Sequence, residues 1–210
     1  MKTLRASTLS LLVILAWLAG AGAASAAASS HVYLIRGIFN VSVGLDAIAA
    51  RLAQRGIAAS VYGDQEGGAV AAQATRDYGG GVRSIILVGH SLGAGTAMSV
   101  ARQLGNAGVP VALMILLDPV GAGSVPPNVR RTINLYVGGG RGPGRAVGAD
   151  AGFRGSLSNV DVSNDPIHPD HMTIQSALPM QNRIIAYISG AAATSGGQGS
   201  PGRRGRGSRT

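Results

Sequence analysis

Residues 84–101 read SIILVGHSLGAGTAMSVA, and the fold turns on how that stretch is framed. One frame gives Gly89-His90-Ser91-Leu92-Gly93, a serine held in a sharp turn between a strand and a helix. The other gives Gly89-xxx-Gly93-x-Gly95, a glycine-rich turn of the kind that cradles a dinucleotide pyrophosphate. With 33 Gly in 210 residues, either match arises readily by chance. A short motif is a hypothesis until its structural context is known. The rest of the chain must decide.

Both ends separate from the middle by composition. Residues 1–28 open with two cations, Lys2 and Arg5, and continue LLVILAWLAGAGAASAAA without a charge. A basic start, an apolar stretch and Ala24-Ser25-Ala26 as a small-x-small cleavage pattern describe a secretory signal peptide. The protein is therefore expected to be secreted or periplasmic. Residues 191–210 are rich in Gly, Ser and Arg, with Arg203, Arg204, Arg206 and Arg209 and almost nothing large to bury, so a disordered tail is expected. Its arginines suit weak contact with an anionic surface.

The ends also account for most of the net charge of +9, leaving +3 on residues 30–190. A core so close to neutral is unlike a nucleic-acid-binding domain. Cysteine is absent, so disulfides, thiolate metal sites and a cysteine nucleophile are all excluded. Residues 29–190 remain as one domain, long enough to bury a core without staples.

Within that domain, apolar runs alternate with helical periodicity. HVYLIRGI (31–38), IAASVYG (57–63), SIILVGH (84–90), PVALMILLD (110–118), RTINLYV (131–137) and NVDVS (159–163) read as strands. Residues 43–56, 67–79, 94–108 and 171–189 read as helices, the last bent near Pro179, and 138–156 as a glycine-rich loop. Continuous apolar strands alternating with helices mean an open α/β fold: a mostly parallel sheet of about six strands with helices on both faces. Ligands of such sheets bind outside the carboxyl ends of the strands. Those ends carry Arg36-Gly37-Ile38-Phe39, His90-Ser91, Asp118 and, after the last strand, His168 and His171.

A nucleophile, an acid and a base thus follow in the order Ser, Asp, His along one sheet edge. In this arrangement the chain resembles the α/β-hydrolase superfamily, as a small, cap-less lipase-, esterase- or thioesterase-like member, over roughly residues 31–189. The nucleophile elbow needs a strand before it and a helix after it, and SIILVGHSLGAGTAMSVA supplies both. The rival frame resembles the short-chain dehydrogenases. Their glycine turn belongs at the start of the domain, whereas two strand–helix units precede this one. Their Tyr-xxx-Lys pair also has no counterpart, since the only lysine is Lys2. A sheet of hydrolase shape that only binds its ligand is the remaining alternative.

The resemblance implies roles residue by residue. Ser91 is the nucleophile and needs a base to take its proton. His171, in HMTI, matches the family's placement of that base better than His168. His90 points away from its neighbour Ser91, and His31 begins a strand at the opposite edge. Asp118, ending ILLDPV, orients the imidazole, with Asp150 as the alternative acid one strand later. The oxyanion hole would use the backbone N–H groups of Leu92 and of Ile38, with Phe39 as second choice for the latter. Arg36 departs from the His-Gly that the family often carries there. Hydrolysis by this set implies no metal and no cofactor. The insertion after Asp118 is too short for a helical cap, so an open site, bordered by the 138–156 loop, is expected. It would take small-molecule or lipid esters, with acyl thioesters as the alternative substrate class.

Overall fold

The computed structural model describes residues 30–196 apart from 122. The expected signal peptide and the tail beyond Gly196 lie outside the described residues. Six strands form one sheet: β1 (Ser30–Ile35), β2 (Ala58–Tyr62), β3 (Ser84–His90), β4 (Leu113–Leu117), β6 (Arg131–Tyr136) and β8 (Ser156–Asp161). Two short strands, β5 (Ser124–Val125) and β7 (Gly148–Ala149), pair separately. The main sheet runs β2-β1-β3-β4-β6-β8, and every neighbouring pair is parallel.

Parallel strands covered on both faces must be apolar on both faces, and the central strands are: all seven residues of β3 are buried. Alternation along each strand divides them between two cores. Val32, Leu34, Ile86, Val88, Ile115 and Leu117 pack with α1 (Gly44–Ala53) and α4 (Leu178–Gly196). Tyr33, Ile35, Ile85, Leu87, Met114 and Leu116 pack with α2 (Gly67–Gly79) and α3 (Leu92–Asn106). Each fully buried Leu or Ile contributes about 1.5–3 kcal/mol. The helical stripes match their cores: Leu45, Ile48 and Leu52 on α1, and the smaller Ala94, Ala97 and Ala101 on α3.

Several boundaries depart from the sequence reading: the first strand ends at Ile35, before a single 3-10 turn over Ile38–Asn40, and the strand read as 110–118 begins at Leu113. The last strand starts at Ser156, inside the stretch read as loop, and residues 171–177 form turns before α4 begins at Leu178. Pro179 therefore starts the helix rather than bending it, because in the first turn its missing N–H has no intrahelical partner to lose. At the other end α4 runs through residues 191–196, read as tail, with Ala191 and Ala192 against the core.

The chain leaves β1 for β2 on one side, then crosses to β3 on the other. The strand order reverses between β1 and β3, and that reversal opens the crevice at their carboxyl ends in which such sheets bind ligands.

Candidate active site

Ser91 sits at that crevice, between β3 and α3, with φ 59° and ψ −123°. A non-glycine residue there is strained and must be held by its surroundings. Its N–H donates to Leu117 O at 3.0 Å, and its carbonyl accepts from Ala94 and Val120. The flanking glycines have a steric cause. A Cβ on Gly89 would come within 2.6 Å of Ala94 Cα, and one on Gly93 within 2.8 Å of the Ile35 carbonyl carbon. The strand–helix turn can close this tightly only without those side chains.

The structure brings Ser91, His171 and Asp118 together. His171 Nε2 lies 3.0 Å from Ser91 Oγ, and its Nδ1 lies 2.6 Å from Asp118 Oδ2. With a carboxylate at Nδ1, that nitrogen carries the proton and Nε2 is left to accept from the serine hydroxyl. Asp118 is fully buried, and its other oxygen, Oδ1, accepts the Val137 N–H at 2.7 Å.

Asp118 also adopts positive φ, 44°, which aspartate tolerates better than most residues. The glycine-rich loop closes over it. A Cβ on Gly144 would reach within 2.6 Å of Asp118 Cγ, and one on Gly142 within 3.2 Å. Side-chain amides pin that loop: Asn134 Nδ2 donates to Arg145 O at 2.8 Å, and Asn159 bonds both the N–H and the carbonyl of Val147. The loop expected to border an open site instead covers the acid. Two asparagines inside strands, where that residue is depleted, were the available sign.

The other candidates lie elsewhere. Asp150 is held by Arg102 at 2.7 Å and by the Ser124 hydroxyl, which together keep its carboxyl below the usual range, the serine bond foremost. His168 is exposed and donates its backbone N–H to Asp165 O at 2.7 Å. Arg36 pairs with Asp46 on α1. The N–H groups of Leu92, Ile38 and Phe39 donate to no acceptor among the described residues. Leu92 begins α3, where unpaired N–H groups and the helix dipole favour negative charge.

A second Ser–His–Asp chain shows what residue types alone do not provide. At the amino end of the sheet, His31 lies 2.9 Å from Ser60 Oγ through Nε2 and 3.1 Å from Asp77 Oδ2 through Nδ1. Ser60, however, lies within β2, its backbone in register with Tyr33 of β1. Among the described residues no helix begins at Ser60, as α3 does next to Ser91, to aim N–H groups at a developing oxyanion.

A cleft of about 380 Å³ opens next to Leu92, lined by Ile38, Phe39, Asn40, Asp64 and Gln65. Phe39 stands 86% exposed at φ 53°, with Met172 and Leu178 also exposed on the segment that follows His171.

This architecture is the α/β-hydrolase fold. Among solved structures, the chain is similar to the type II thioesterase BorB from the borrelidin biosynthetic cluster, with a TM-score of 0.50 and 12% identity over 78% of this chain and 93% of that one. It is also similar to the NocB thioesterase domain from the nocardicin cluster, with a TM-score of 0.45 and 16% identity over 77% of this chain and 94% of that one. No family model matches the chain, and no curated protein does.

Proposed function

We propose that the protein is an exported serine hydrolase that cleaves carboxylic esters through an acyl-enzyme on Ser91. The hydrogen-bonded series from Ser91 through His171 to the buried Asp118 carries this reading. His171 Nε2 takes the hydroxyl proton as Ser91 Oγ attacks the ester carbonyl. Asp118 stabilises the resulting imidazolium and keeps its ring in register. The tetrahedral oxyanion accepts from the Leu92 and Ile38 N–H groups, each such donor being worth about 10²–10³ in rate. Collapse breaks the C–O bond, and His171 returns the proton to the leaving alkoxide. Water, deprotonated by His171, then releases the acid and restores Ser91.

The cleft beside Leu92 and the exposed Ile38, Phe39 and Met172 around it suit an apolar acyl group. Export, from the sequence of residues 1–28, favours oxygen esters, since acyl carrier thioesters are cytoplasmic. Thioesters are the second substrate class, supported by the fold shared with the thioesterase BorB. Turnover of p-nitrophenyl esters of graded acyl length, beside N-acetylcysteamine thioesters of the same acids, separates the two. Ester turnover that disappears in Ser91→Ala is expected. A folded wild type inert toward both series would leave only the binding alternative.

A further inference from the structure

His90 is buried, 1% exposed, and its ring bonds Ser42 and the His171 carbonyl rather than the adjacent Ser91. Alternation along β3 places its ring on the face of Ile86 and Val88, toward α1 and the 171–177 turns, while the elbow carries Ser91 elsewhere. Both ring nitrogens are engaged. The Gly37 N–H donates to Ser42 Oγ at 2.9 Å, and that hydroxyl donates in turn to His90 Nδ1, 2.7 Å away, because the single proton of the neutral ring is needed at Nε2, which faces a carbonyl. That ring proton, on Nε2, is donated to the backbone carbonyl of His171 at 2.7 Å. The two imidazoles lie 4.9 Å apart. Gly37 precedes the candidate oxyanion donor Ile38, and a Cβ on Gly37 would come within 2.9 Å of Ser91 Cβ.

We propose that His90 is a positioning residue: one neutral imidazole, accepting from Ser42 and donating to His171 O, fixes the oxyanion loop and the base segment relative to each other. The inference rests on the proposed roles of Ser91 and His171, but its geometry stands without them. The two loops come from opposite ends of the domain and meet through this ring. Burial pushes the His90 ring down to about 4, against the opposing effect of its bond to the His171 carbonyl. It therefore stays neutral at pH 7, as the acceptor role of Nδ1 requires. A cationic ring would turn Nδ1 into a donor and end the bond that it accepts from the Ser42 hydroxyl. An aliphatic residue could fill the space but could hold neither loop.

Two substitutions separate holding from filling. Gln at position 90 keeps an acceptor and a donor spaced like the ring nitrogens; Leu keeps volume alone. In His90→Leu, kcat should fall about 10²-fold, the effect of roughly 1 Å of misplacement, with KM changed only a few-fold. His90→Gln should recover to within about tenfold of wild type by the same reasoning. A readout that does not need turnover is the proton NMR signal of His171 Nδ1–H, far downfield and slow to exchange while it donates to Asp118. It should persist in wild type and His90→Gln and be lost or broadened in His90→Leu. A folded His90→Leu with wild-type kcat and an unchanged resonance overturns the proposal. Should His90→Leu not fold, Ser42→Ala removes only the hydroxyl link and should shift the same resonance and lower kcat. Wild-type values for both in Ser42→Ala overturn the proposal equally. If wild type hydrolyses nothing, the functional reading fails, and the resonance still decides the role of His90.

Discussion

Asp118 Oδ2 and His171 Nδ1, 53 residues apart in the chain, meet at 2.6 Å in the carboxyl-end crevice, whereas Asp150, within the glycine-rich loop, is paired with Arg102 and Ser124. Asp118→Asn should therefore retain the fold and lose about 10⁴ in kcat, because an amide favours the wrong imidazole tautomer. Asp150→Asn should change kcat less than a few-fold. Initial rates on one soluble ester test both, and a silent Asp118→Asn would refute the assignment.

A fluorophosphonate should label Ser91 and leave Ser60 untouched. Both serines lie within 3.0 Å of a histidine Nε2. Only Ser91 adjoins a helix N-terminus that can hold the oxyanion. Peptide mapping of the labelled protein should show one adduct, absent in Ser91→Ala and unchanged in Ser60→Ala. An adduct on Ser60 would mean that a serine of this chain can react without the elbow.

Gly144→Ala should impair turnover without touching substrate. The new Cβ falls within 2.6 Å of Asp118 Cγ, so either the loop or the carboxylate must move. Overpacking of this kind costs about 1–3 kcal/mol in stability, and misplacement of the acid should lower kcat by about 10–10². Gly152→Ala, on the same loop but away from the acid, should lower stability with little effect on kcat. Equal kcat losses in the two variants would show that the loop does not hold the acid in place.

Stability should fall as pH drops from about 6.5 to about 4. His90 binds its proton near 4 when folded, against an ordinary value of 6.5, mainly because burial penalises the cation. Between those values the unfolded chain holds more protons than the native one, so unfolding is favoured on acidification. The single ring accounts for about 3 kcal/mol once pH is below both values. His31, also lowered by burial, adds to the same trend. Urea midpoints across this range should slope less in His90→Gln than in wild type. Equal slopes would show that His90 is not a buried neutral group.

The mature chain is expected to begin near residue 27. N-terminal sequencing of the exported protein checks this, and an intact Met1 in the membrane fraction would contradict it. Deleting residues 197–210, beyond the end of α4, should leave hydrolysis of a soluble ester unchanged.

The amino-acid sequence by itself determined the alternation of strands and helices, the bounds of β3 and α2, and the strand–turn–helix around Ser91. These depend on apolar periodicity and on glycines next to the turn they permit, which are properties of neighbouring residues. It also narrowed the site to a few side chains at one sheet edge, because a parallel sheet places every strand's carboxyl end on the same side. The choices within that set were tertiary. His171 rather than His168 meets the serine, and Asp118 rather than Asp150 meets that histidine, because packing sets distances between residues 80 and 53 positions apart, which no local pattern encodes. The same holds for the glycine-rich loop, read as an open border. Asn134 and Asn159, in strands adjacent only once the sheet has formed, draw it down over Asp118. His90 links Gly37 to His171 for the same reason: its two partners come within reach of one ring only after the sheet and α1 have packed.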